Sequence, residues 1–118
     1  VVTVNNKIRS ELHRVLDGIV FEGRATFKDK NREVARNAAL TLAINDMAKR
    51  AGAVLIEEDT TVTNDEVTSI IRTRASNIVA GYTIMLDTYD PETKMAEVVV
   101  RQEGERIASE MARIVIEE

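Results

Sequence analysis

The sequence predicts an α+β domain: a curved, largely antiparallel sheet with one long helix packed across a face, and further helices at both termini. Three observations lead to this class. The stretch from Asn31 to Gly52, NREVARNAALTLAINDMAKRAG, has no Pro and no internal Gly and is rich in Ala, which predicts a helix about 30 Å long. Residues 19–28, IVFEGRATFK, alternate apolar with polar positions, the period of a half-buried strand. Residues 77–102 hold two β-rich runs joined at Asp90-Pro91, the composition of a hairpin. A chain of 118 residues supports one domain and one core. The expected unit therefore covers 1–118, with the helix-on-sheet core at 19–102.

Taken in order, residues 5–17 form an amphipathic helix. Asn5 or Asn6 caps it, Ile8, Leu12, Val15 and Leu16 make its apolar stripe, and Gly18 ends it. His13 lies off that stripe and reads as a solvated surface residue. Strand 19–28 follows, with Ile19, Phe21, Gly23, Ala25 and Phe27 on its inner face. The small residues Gly23 and Ala25 leave a gap that an Ala-rich helix packed close above would fill.

The long helix has start and stop signals. Asp29 and Asn31 are both candidate N-caps, and Glu33 in the first turn suits the helix dipole. Lys49 and Arg50 suit the last turn, and Gly52 supplies the stop. Its apolar residues fall on two sides. Val34, Ala35, Ala38, Ala39 and Leu42 make a small-residue side, assigned to the sheet. Leu40, Ile44, Met47 and Ala51 make a second side that needs another cover, either the terminal helices of the same chain or another subunit. Leu40, Ile44 and Met47 are thus the candidate protein–protein interface.

Beyond Gly52, the β-branched run AVLIEEDTTVT (53–63) predicts a strand. Its acidic residues Glu57–Asp59 point to alternate faces of such a strand, so a solvated edge is favoured over a metal site. Asn64 caps a short helix at 65–75, although the Ser and Thr content also allows a loop or a continued strand. Residues 77–89 form a long strand, Asp90–Thr93 a turn, and Lys94–Gln102 its hairpin partner. A last helix covers 105–118, with Ile107, Met111, Ile114 and Val115 at helical spacing.

Composition excludes several classes of function. The net charge is −4, which argues against a general nucleic-acid surface. Without cysteine there is no disulfide, no zinc–thiolate site and no cysteine nucleophile. No run approaches the ~20 apolar residues of a spanning helix, and no signal-peptide pattern is read. The chain begins at Val1, without Met, as a mature or trimmed product would. With a single His, no Gly-rich phosphate loop, no nucleophile elbow and no paired-His helix, the chain is expected not to be an enzyme and to hold no cofactor or metal.

The residues also carry a resemblance. A Gly-Ala strand (Gly23, Arg24, Ala25) leads into an A-R-x-x-A helix (Ala35, Arg36, Ala39). Gly52, a Thr- and Val-rich stretch, a G-Y strand (Gly81, Tyr82) and a Y-D turn (Tyr89, Asp90) follow. Over roughly 20–102 this pattern resembles a family of bacterial envelope domains. It includes the Lpp-twenty lipoproteins, the flagellar outer-ring protein FlgP and the N-terminal domain of the flagellar assembly protein FlgT. The resemblance implies an SHS2-like or dodecin-like helix-on-sheet fold. It implies a periplasmic or outer-membrane-associated location and a non-enzymatic structural role in a ring or disk near the flagellar motor. The partners implied are further copies of the chain and other envelope or motor proteins. No catalytic residue is carried over. The chain departs from the lipoproteins in lacking their N-terminal Cys.

Two other functions remain open at this stage. One is a small-molecule module of dodecin type that binds flavin-like ligands, against which the scarcity of aromatic residues counts: two Tyr, two Phe and no Trp. The other is a secreted surface antigen or adhesin of the same family.

Overall fold

The computed structural model describes residues 2–57 and 78–117. The described elements run α1 (Val2–Leu16), β1 (Val20–Lys28), α2 (Arg32–Glu57), β2 (Thr83–Asp90), β3 (Met95–Glu103) and α3 (Gly104–Glu117). This is the expected α+β class. Among the described residues the sheet has three antiparallel-paired strands in the order β1-β3-β2, so β3 is central and β1 and β2 are edges.

The β1–β3 register sets the shape. Val20 pairs with Glu103, so α1, which leads into β1, and α3, which leaves β3, emerge from the same end of the sheet. There they pack against each other, burying Leu12, Val15 and Leu16 against the same core as Ile107, Ala108 and Met111. Gly104 sits at the tightest point of this junction, where an added Cβ would lie 2.0 Å from the Leu16 carbonyl oxygen. Sheet and helix pair together extend 56 Å along the long axis.

Helix α2 lies on β1 and β3. Asn31 is its N-cap, its Oδ1 accepting from the N–H groups of Glu33 (3.0 Å) and Val34 (3.2 Å). Asp29 instead shapes the turn before it, its Oδ1 accepting from the Asn31 N–H at 2.8 Å. The gap expected over Gly23 is filled by the helix backbone itself. A Cβ on Gly23 would stand 2.0 Å from the Ala43 carbonyl oxygen and 2.7 Å from the Met47 nitrogen.

Several sequence expectations are corrected. Helix α1 begins at Val2, so Asn5 and Asn6 lie inside it rather than capping it; once a helix is nucleated each further residue adds a hydrogen bond, which offsets a cap preference of about 1 kcal/mol. Helix α2 does not stop at Gly52 but continues to Glu57, which replaces the first part of the strand expected at 53–63 and leaves Lys49 and Arg50 in the helix interior. A nine-residue strand spans about 30 Å, whereas a 26-residue helix spans about 39 Å. The helix therefore outruns β1 and continues beside α1, which it contacts. Its apolar period also runs on through Met47, Ala51 and Val54, all packed in or against the core. That burial outweighs the penalty of about 1 kcal/mol for a helical Gly.

The strand expected at 77–89 begins only at Thr83. Ile78 and Val79 are both buried, which strict alternation would forbid, and Gly81 turns the chain with φ +83°. The Gln102 side chain fixes this turn, donating from Nε2 to the Ala80 carbonyl at 2.8 Å. The remainder of the 53–63 strand, the acidic residues after Glu57 and the 65–75 helix lie outside the described residues. So do the side chains of Ile8, Ile114 and Val115.

Because helix backbone, not a flexible side chain, meets Gly23, Gly23→Ala is expected to destabilise the protein by about 3 kcal/mol, at the upper end of overpacking costs. A urea titration followed by circular dichroism measures this. Ala43→Gly in the same background, which leaves the contacting carbonyl in place, restores no stability.

Candidate functional site

The expectation of two apolar sides on α2 is corrected by burial. Ala35, Ala39, Ala43, Met47 and Ala51 are completely covered, Ala48 likewise, and Ile44 is 8% exposed. They form one broad stripe against the sheet and the helix pair. Val34 and Leu42, placed with the sheet-facing side from sequence, are instead 48% and 44% exposed. The reason is close approach: with Gly23 beneath Ala43 and Met47, the helix is rotated so that this line, not the Val34–Leu42 line, meets β1.

The three candidate interface residues consequently separate. Met47 and Ile44 belong to the core of the single chain, and Met47 lies over Gly23 of the sheet rather than under the terminal helices alone. Leu40 is half-buried and packs at the core's margin. It faces a groove that the interface reading did not anticipate, between the N-terminal half of α2 and the edge strand β2.

This groove holds about 220 Å³ and is lined by Glu33, Arg36, Leu40, Ile84, Asp87 and Val98, among others. It exists because α2 sits over β1 and β3 and leaves the helix-side face of β2 largely uncovered. Ile84 is 45% exposed as a result. The β-bulge between Ile84 and Leu86 makes Met85 the extra residue, which is 51% exposed. The bulge also carries the alternation past Met85, so that Ile84, Asp87 and Tyr89 all pair opposite the inward-facing Val100, Val98 and Ala96.

Polar contacts join the two walls of the groove. Arg36 grips Asp87 with both arms of its guanidinium: Nε donates to Oδ1 at 2.7 Å, and a terminal nitrogen donates to Oδ2. Farther along β2, the Tyr89 hydroxyl donates to the Asp29 carbonyl at 2.8 Å, tying the strand to the turn that begins α2. The hydrogen bond from Arg36 and its positive charge hold the Asp87 carboxyl below its ordinary value, and the Asp87 carboxylate raises Arg36 in turn.

The opposite edge of the sheet is arranged differently. On β1, the Arg24 N–H points off the sheet and donates to Asp46 Oδ2 at 3.0 Å, and Arg50 Nε holds the same oxygen at 3.1 Å. A charged side chain thus occupies one outward N–H of this edge, whereas β2 pairs with no described strand on its outer side.

Among the described residues no group of His, Asp or Glu is arranged to hold a metal ion, and no helix is long and apolar enough to cross a membrane. His13 makes a local contact with Asp17, Nδ1 to Oδ1 at 3.1 Å. The groove presents an apolar floor and one ion pair beside a strand that pairs with no described strand on its outer side.

Two outcomes are expected. Met47→Asp abolishes the cooperative unfolding transition, because it buries an unpaired charge, while Leu40→Asp leaves a folded protein with near-native far-ultraviolet circular dichroism. Since Asp87 is depressed, its contribution to stability is present above the ordinary carboxylate value and lost as pH falls through the lowered one. The urea midpoint of Asp87→Asn should therefore depend less on pH between about 5 and 2 than that of the parent.

The chain matches no protein-family model, no curated protein and no solved structure.

Proposed function

We propose that the chain is a non-enzymatic structural subunit of a bacterial cell-envelope assembly, acting through its surfaces in a ring or disk associated with the flagellar motor. The observation that carries this reading is β2, which pairs with no described strand on its outer side and is bordered by Ile84 and Met85 and by the groove under Leu40. An uncovered edge with apolar flanks is a standing invitation to strand pairing, and soluble proteins ordinarily blunt it. The sequence resemblance supplies the envelope and flagellar part of the proposal, together with the SHS2-like or dodecin-like form of the helix-on-sheet arrangement and the periplasmic or outer-membrane-associated location. Other envelope proteins are the partners it implies.

Size-exclusion chromatography with multi-angle light scattering, followed by negative-stain imaging, tests the structural role. A particle of several times 13.1 kDa is expected. A monomer at all concentrations, with and without an envelope extract, overturns it.

A further inference from the structure

We propose that a second pocket, at the end of the sheet where β2 begins and α3 leaves β3, binds the oxyanion group of a small molecule, a phosphate or a carboxylate. It is separate from the groove under Leu40 and does not depend on whether the chain assembles.

Two arginines from different elements line this pocket of about 330 Å³, together with Thr83 and Gln102. Strand β3 sets Arg101 directly across from Thr83. Helix α3 follows β3 without a loop and brings Arg106, in its first turn, to the same space. Among the described residues neither guanidinium makes a hydrogen bond or an ion pair. Guanidinium, amide nitrogen and hydroxyl all supply donors, and a planar guanidinium fork matches the paired oxygens of a carboxylate or phosphate. Glu103 is the one acid on the wall against the two arginines, so the lining is positive on a chain whose net charge is −4.

The donors are also held in place. Gln102 is 6% exposed, and both ends of its amide are fastened. Its Oε1 accepts from the Glu103 N–H at 2.9 Å, and its Nε2 donates to the Ala80 carbonyl at 2.8 Å. That nitrogen carries a second hydrogen. The turn it fastens contains Gly81, with φ +83°. A Cβ on Gly81 would stand 3.4 Å from both Arg106 Nη1 and Gln102 Nε2. Two donor nitrogens therefore face one point that the glycine leaves empty. A buried amide anchored at both ends is ordered before a ligand arrives, which lowers the entropy lost on binding.

The volume lies at the lower end of the range for small-molecule sites and exceeds what a lone oxyanion needs. Met85, 51% exposed, stands on the wall and offers apolar contact to the body that carries the anion.

NMR of the whole ¹⁵N-labelled chain tests this, with sodium phosphate and sodium acetate titrated separately against sodium chloride of equal ionic strength. Saturable shifts of the Gly81 amide, the Gln102 side-chain amide and the Arg106 Nε–H are expected, and the anion that saturates at lower concentration identifies the group. Arg106→Ala and Arg101→Ala, each checked for folding by circular dichroism, should weaken binding about tenfold, as loss of a charged hydrogen-bond donor does. Glu103→Gln, which removes the opposing charge, should strengthen it. Arg32→Ala, at the other end of the sheet, should leave it unchanged. Shifts that never saturate, that chloride reproduces, or that neither Arg101→Ala nor Arg106→Ala weakens overturn the site.

Discussion

The contact between the backbone of α2 and Gly23 is the constraint on which the remaining geometry depends. A helix seated directly on a strand, with Ala43 and Met47 above a residue that has no side chain, cannot be centred over the whole sheet. It covers β1 and β3 and stops short of β2. From that offset follow the rotation that buries Ala35, Ala39, Ala43 and Met47, the reach of Asp46 over the β1 edge, and the groove beside β2. The surface features beside β1 and β2 are consequences of a core-packing decision made at one glycine.

The same seating explains the length of α2 and the unity of the fold. A helix aligned with β1 overruns it at the end where α1 and α3 emerge, and there its last turns find apolar cover. The buried residues consequently form one cluster through sheet and helix pair instead of two cores joined by a neck. Gln102 adds a polar fastening at this end, as Tyr89 does at the other, each by a side chain reaching a backbone carbonyl of a distant turn. Such bonds leave no buried polar atom wanting among the described side chains.

The two edges of the sheet meet different neighbours. On β1, Asp46 holds the Arg24 N–H, whereas the groove with Ile84 and Asp87 lies beside β2. The bulge at Met85 shapes the β2 side. It shifts the alternation so that Asp87 meets Arg36 on the helix side, where its charge is answered within the chain. Without that shift the carboxylate would lie on the other face of the strand, away from the guanidinium.

Local chemistry was legible in the sequence. The alternation through Phe21, Gly23 and Ala25, the Asn31 cap, the Asp90-Pro91 hairpin and the terminal helices are each set by residues within a few positions, and each is found, whereas Ile19 and Phe27, expected on the same inner face, are each 37% exposed. Even the close approach at Gly23 could be anticipated, because a small residue in an apolar strand face demands a near neighbour. Leu40, Ile44 and Met47 could not be told apart, since helical periodicity gives faces and not what covers them. What only the tertiary structure decided were the features that depend on distant partners. They are the passage of α2 through Gly52, the start of β2 after Gly81, the bulge at Met85, and the pairing of Arg36 with Asp87 fifty-one positions away. In the passage through Gly52, burial against elements remote in sequence outweighs a local preference of about 1 kcal/mol; the others depend on partners that sequence neighbours do not reveal. A sequence read by neighbours alone does not contain that comparison.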